Sequence, residues 1–228
     1  MDRHVSVMSQ HDLNGLITHT EPRASKMVQQ LKDEGISHEA LLSLMEAIPR
    51  HEFVEPAFSH LAYSATPLPI GRNQTISQPL TVARMTEWLL SYARLGRVLE
   101  VGTGSGYQTR ILAHFFNKVH TVERQKRLHE QAKERLSSMG VNNVEYLFGD
   151  GQAGWPNKVE MDAVIITAMA SKIPLPLTNC LKQQGILIMP IDHPTPQIGC
   201  WRKEGDRWKC LGTESAHFVP LLEGTEHA

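Results

Sequence analysis

The chain has 228 residues, of which 41% are hydrophobic and 21% charged, and its formal net charge is −1. Length and composition suit a globular α/β domain with a sizeable core. The near-zero charge excludes general attraction to a polyanion, so no nucleic-acid partner is expected.

Residues 1–20 are polar and aperiodic and read as a flexible tail, with 21–228 as a single domain. The tail lacks the continuous apolar run of a secretion signal. A helix is expected over 22–34, closed by Gly35. A second starts near Ser37, a good N-cap, and aligns Leu41, Leu44, Met45 and Ile48 on one face until Pro49 stops it. Residues 51–76 lack periodicity and carry Pro56, Pro67, Pro69 and Gly71, which predicts a long, stiff, functional connection. From Pro79 a helix is expected, with Val82, Met85, Leu89 and Ala93 on one face and Trp88 also in its core.

Strands and helices then alternate. Strands are predicted at 97–101, 118–123, 144–148, 162–167 and 185–191. Helices are predicted on the faces of Tyr107, Ile111 and Phe115, of Leu128, Ala132, Leu136 and Met139, and around 175–184. This rhythm implies a Rossmann-like three-layer αβα sandwich around a mostly parallel sheet. Glu204-Gly205-Asp206 between two apolar-rich runs signals a hairpin, and HFVPLL (217–222) reads as one more strand, so antiparallel strands are expected at the C-terminal side.

The three cysteines, Cys180, Cys200 and Cys210, form no CxxC pair, and none of the twelve histidines stands in an HExxH or HxH cluster. No metal is expected, and the cysteine usage suits a reducing cytoplasm. No apolar run approaches the roughly 20 residues that span a bilayer, so no membrane partner is expected.

The central motif is VLEVGTGSGYQT (98–109), a buried strand running into Gly102, Gly104 and Gly106 and then a helix. Glycines let the backbone turn sharply and approach a ligand. Ligands of open α/β sheets bind at the carboxyl ends of the strands. Tyr107 stands where a dinucleotide fingerprint has its third glycine, which argues against a nicotinamide dehydrogenase. Glu123 ends the second strand, from which a carboxylate can accept both hydroxyls of a ribose. Asp150, in GDG (149–151), follows the third strand and can accept from an adenine amino group.

This arrangement resembles the class I methyltransferases that use S-adenosylmethionine (SAM). The resemblance implies that Glu100, Val101, Gly102, Thr103, Gly104 and Gly106 border the methionine part. Glu123 would hold the ribose, and Asp150 with Gly151 would flank the adenine. More specifically, the chain resembles the protein-L-isoaspartate (D-aspartate) O-methyltransferases from about Met27 to Leu222. The likeness rests on PRHEFVEP (49–56), PLPIGRNQTISQP (67–79), VLEVGTGSGYQT, GDGQAGWP (149–156), IITA (165–168), GILIMPI (185–191) and FVPL (218–221).

That resemblance implies a monomeric repair enzyme whose partners are isoaspartyl-containing proteins and peptides and whose cofactor product is S-adenosylhomocysteine. Ser77 matches the active-site serine, with the role of orienting the substrate carboxylate. Thr75 and Ile76 would cover the cofactor, and Thr167 and Ala168 would line the peptide side. The chain departs from the family pattern at Asn73, where a glycine commonly stands, and at MASKIP (169–174), where Lys172 replaces an acid. Trp155 reads as a core plug. A methyltransferase for an RNA base or small acid, and a binding module without catalysis, are the alternatives. The neutral charge speaks against the RNA reading, and intact Ser77, Glu123 and Asp150 speak against the module.

Overall fold

The computed structural model describes residues 21–227 apart from 158 and 193, so the expected tail at 1–20 lies outside the described residues. Two helices come first, α1 (Pro22–Asp33) and α2 (Glu39–Ala47). The N-cap of α2 is His38 rather than Ser37: its ring accepts the Leu41 amide, while the Ser37 amide and hydroxyl are drawn to the Glu87 carboxylate.

Residues 51–76 are more ordered than their sequence suggests. They hold 3₁₀ turns at Arg50–Phe53 and Pro56–Leu61, then a hairpin of β1 (Leu68–Gly71) and β2 (Gln74–Ile76). Its tip, Arg72 and Asn73, has φ of 53° and 56°. Both values suit the tight hairpin turn that matches strand twist, and asparagine tolerates them better than most side chains.

The main sheet has strand order β5-β4-β3-β6-β7-β8-β9. Its strands are β3 (Arg97–Val101), β4 (Lys118–Glu123), β5 (Val144–Phe148), β6 (Met161–Ile166), β7 (Leu181–Ile191), β8 (Gln197–Glu204) and β9 (Arg207–Ser215). Pairings from β5 through β7 are parallel, and β7-β8-β9 are antiparallel. Every residue of β6 is buried, as a central parallel strand requires. On one face Val98, Ala163, Ile165, Ile186 and Ile188 pack with Met85 and Leu89 of α3 (Pro79–Tyr92) and Leu112 of α4 (Tyr107–Phe115). The helix α5 (Lys126–Ser138) joins its neighbours through Leu128 and Leu136, which cluster with Tyr107, Ile111 and the residues of α1 and α2.

The opposite face is covered more thinly. Leu99, Val101, Val164, Ile166 and Leu187 meet Leu177, Trp155 and Trp201. The helix expected around 175–184 is only α6 (Leu175–Asn179). Residues 181–184 instead begin β7, where Leu181 pairs with Met161 across an irregular register. Residues 217–222 form no strand. An isolated bridge at Met169–Pro220, bonded through Val219 and Leu221, joins them to the segment after β6, and the ladder does not extend back because the Thr167 amide is taken by the Val101 carbonyl of β3.

Candidate active site

The strand order reverses between β3 and β6, and there the carboxyl ends of β3, β4 and β6 open into a cleft of about 940 Å³ including its mouth. This is the topological switch point at which open α/β sheets bind ligands. Gly102, Thr103 and Gly104 line it from the turn after β3, Glu123 from the end of β4, Gly151 after β5, and Thr167 and Ala168 after β6. Thr75, Ile76 and Ser77 close it from the hairpin side.

The glycine turn is glycine for separate reasons at each position. Gly102 has φ +96°, and a Cβ there would lie 2.3 Å from Thr167 Oγ1. That hydroxyl donates to the carbonyls of Val101 and Gly102 at 3.0 and 2.9 Å, tying the ends of β3 and β6 together. Gly151 sits where a Cβ would strike Val101 Cγ1 at 2.3 Å, so the chain passes flush over β3. Gly106 does not reach the cleft. It precedes α4 with φ +87° and packs against Leu136 and Ala132 of α5.

The two glutamates expected at the cofactor have different surroundings. Glu123 borders the cleft at 5% exposure. One of its oxygens accepts the Gly104 amide at 2.8 Å, and the other accepts the Gln125 amide at 2.9 Å. Burial raises its carboxyl above the ordinary range, and those amides oppose the rise. Each oxygen keeps acceptor capacity for a donor in the cleft.

Glu100 does not line the cleft. It is fully buried beneath the turn, and its Oε2 accepts the Thr109 and Thr121 hydroxyls at 2.5 and 2.6 Å. Burial pushes its carboxyl up to about 8. Because the single Thr121 proton goes to Glu100, the 2.7 Å contact between Thr103 and Thr121 has Thr103 as donor. A hydroxyl chain thus connects buried Glu100 to Thr103 on the cleft wall.

Asp150 also stands apart from the cleft. Its Oδ1 caps the short turn at Gln152, and its Oδ2 accepts the Gly224 amide at 2.8 Å. That second bond anchors a C-terminal strap. Met169 and the strap exchange hydrogen bonds at Val219 and Leu221, and Glu226 exchanges them with Arg124 and Lys126. Arg124 adds bonds to the Glu226 carboxylate and the Gly224 carbonyl. Val219, Pro220, Leu221 and Leu222 thereby become a wall of the cleft.

Arg50 was not singled out by sequence reading as a functional residue. It is fully buried, and its guanidinium donates to the carbonyls of Ala62 and Ser77 at 2.7 and 2.6 Å. It lies 4.5 Å from the centroid of the Tyr107 ring, itself a cleft residue. The motif PRHEF carried the only signal, and nothing local distinguishes that arginine from a solvated one. Lys172 is exposed, and Trp155, expected as a core plug, is only partly buried, packing edge-to-face on His120 at 4.6 Å against the edge of the core. Among the described residues, no group of three or more His, Cys, Asp and Glu is placed to hold a metal.

The family described as protein-L-isoaspartate(D-aspartate) O-methyltransferase matches residues 22–226. A protein-L-isoaspartate O-methyltransferase of Yersinia enterocolitica is 46% identical over 202 residues, spanning 89% of this chain and 97% of that one. One from Shewanella sp. strain ANA-3 is 43% identical over 201 residues, spanning 88% and 95%. A solved protein-L-isoaspartate O-methyltransferase aligns with a TM-score of 0.76 at 25% identity, over 86% of this chain and 65% of that longer one. A Plasmodium falciparum protein crystallised with S-adenosyl-L-homocysteine shares the fold at a TM-score of 0.77 and 24% identity, over 89% and 99%. The chain belongs to the protein-L-isoaspartate(D-aspartate) O-methyltransferase family.

Proposed function

We propose that this cleft binds SAM and an isoaspartyl peptide together, and that the chain methylates the free α-carboxylate of the isoaspartyl residue. The carrying observation is Glu123, a buried carboxylate bonded to the glycine turn in a cleft that the Thr75–Ser77 segment also lines. Its two oxygens suit a ribose diol. The lining carboxylate suits a cationic sulfonium cofactor, since among the described residues no lysine lines the cleft and its one guanidinium, Arg124, is paired with Glu226. When bound, SAM supplies a methyl group already activated by positive sulfur.

The chain's residues then need only hold and align. A substrate carboxylate with an ordinary pKa near 3.5–4 is ionised at neutral pH, so no general base is required. Ser77, with its backbone fixed by Arg50, donates its hydroxyl to that carboxylate and turns one oxygen toward the methyl carbon. Ile76, Val82 and Met85 give the cleft an apolar side that strips water from the nucleophile. Thr103 and Gly104 are held from below, by the Glu100–Thr121 chain and by Glu123, so the floor does not shift as substrate enters. Glu100 is a positioning residue on this reading. Asp150 acts likewise, seating the strap beside the adenine end. Thr167 spends its proton on the β3 turn and offers the peptide side only acceptor capacity. The following backbone amide nitrogen then attacks the ester carbonyl, methoxide leaves as methanol with the amide proton, and the succinimide so closed hydrolyses in part to normal aspartate.

The chain works as a monomer in the cytoplasm on this proposal. Free Cys180, Cys200 and Cys210 support a reducing compartment, and no helix among the described residues is long and apolar enough to cross a membrane. The test is transfer of a radiolabelled methyl group from SAM to an L-isoaspartyl peptide, beside the same peptide with normal aspartate. Base-labile label on the first alone is the expected result. Label on neither, with SAM binding intact by calorimetry, overturns the substrate assignment.

A further inference from the structure

A second cleft of about 920 Å³ adjoins the first, between the hairpin, the link at 53–56 that joins the two 3₁₀ turns, and α5. Ile70, Gly104 and Ser105 line both. Three basic residues, Arg72, Arg127 and Arg135, line this space with one acidic residue, Glu55. Arg135 is fixed, donating to the Ser105 carbonyl at 2.7 Å and lying 5.7 Å from the Phe53 ring centroid. Glu52 and Glu134 sit near Arg135 but do not line the cleft. Among the described residues, neither Arg72 nor Arg127 is ion-paired. Arg72 is held at the hairpin tip by a left-handed backbone, and the Gln125 side chain donates to its carbonyl at 3.4 Å.

We infer that this second cleft docks acidic side chains of the substrate protein that flank the damaged residue. The inference rests on the isoaspartyl reading above and adds a sequence preference to it. The hairpin tip is the divide: Gln74 lines the first cleft and Arg72 the second. A strand advances about 3.3 Å per residue. The path from Ser77 to Arg72 is therefore covered by roughly four or five residues of an extended substrate. A glutamate or aspartate at that remove from the isoaspartyl carboxylate reaches Arg72 and Arg127, which have no carboxylate partner among the described residues, and planar guanidinium matches a carboxylate in two-pronged fashion. A basic side chain there meets three like charges and a single carboxylate, Glu55.

The test compares isoaspartyl peptides carrying glutamate or glutamine at roughly three to five positions from the damaged residue, on either side. Wild type is expected to favour the glutamate peptide in kcat/KM by about three- to tenfold at low salt, the scale of one or two exposed ion pairs. The preference shrinks as sodium chloride rises from about 0.05 to about 0.5 M. The double substitution Arg72→Gln and Arg127→Gln, at two exposed positions, brings the ratio of the two peptides to near one. Equal kcat/KM for both peptides in wild type, or an unchanged preference in the double variant, overturns the inference while leaving isoaspartyl methylation standing. Fluorescence anisotropy of an undamaged, acid-flanked peptide separates the two readings in the other direction. Charge-dependent binding that the double variant loses, with no methylation of any peptide, keeps the docking cleft and sinks the repair reading.

Discussion

The guanidinium of Arg50 donates to the carbonyl of Ser77 at 2.6 Å from a fully buried position. No carboxylate compensates it among the described residues; two carbonyls and the Tyr107 ring do. Arg50→Lys keeps a charge but cannot reach both carbonyls in one plane. The expected cost is about 1.5–3 kcal/mol of stability, the scale of a charged hydrogen bond, read by urea unfolding. Turnover on an isoaspartyl peptide should fall more than SAM affinity, because the serine segment moves and the ribose site does not.

Ser77→Ala removes one hydroxyl without disturbing the Arg50 bond, which uses the backbone carbonyl. Turnover is expected to drop by about tenfold or more, the scale of a hydrogen bond to a charged group. Calorimetric SAM affinity stays within a small factor of wild type. Full activity in the variant removes the serine from the mechanism.

Glu123→Gln keeps one acceptor oxygen and sets an NH2 donor against one of the two amides, Gly104 or Gln125, that the carboxylate accepts. SAM affinity is expected to weaken by about tenfold or more, through the lost ribose bonds and a displaced glycine turn. Isothermal calorimetry reads it directly, and unchanged affinity refutes the ribose role.

Glu100 makes stability depend on pH. Its folded pKa of about 8 stands above the ordinary value of 4.5, so the folded state holds a proton that the unfolded state has released. The contribution is fully present below about 4.5 and is lost as pH rises to about 8, at up to about 1.4 kcal/mol per pH unit. Glu100→Gln keeps the shape and removes the titration. Subtracting the wild-type from the variant unfolding free energy should therefore give a curve that climbs between those pH values and then flattens. A flat difference across that window contradicts the buried, protonated carboxyl.

Gly102→Ala places a methyl group 2.3 Å from Thr167 Oγ1 at a φ of +96°. Left-handed strain costs about 1–2 kcal/mol, and the clash adds to it. Pairing it with Thr167→Ala should recover part of the stability lost, because the clashing oxygen is gone. SAM affinity should remain reduced in both, as the turn itself has moved.

Much of the sheet is legible in the sequence. RVLEV, KVHTVE and VEYLF coincide with β3, β4 and β5, because short apolar runs bounded by Gly96, Asn117 and Asn143 have one natural reading. The β1–β2 hairpin is not legible, since its strands are short, contain Pro69 and turn through Arg72-Asn73 instead of a glycine pair. The 175–184 segment misleads for another reason. Gln183 and Gln184 suit a helix in isolation, but Leu181 gains a place in the core and the pairing with Met161, and that tertiary gain outweighs local propensity.

From the sequence alone come the glycine turn, the strand-end acids and the family likeness, because local spacing specifies turns and strand ends. Which acid faces a ligand is decided only when the elements pack. Glu100 disappears beneath Thr109 of α4, Asp150 is claimed by Gly224, and Glu123 alone of the three borders the cleft. Arg50 reaches Ser77 across 27 residues, and the C-terminal strap becomes a cleft wall far from the glycine turn in sequence. Such contacts depend on which surfaces the core brings together, and no local pattern encodes them.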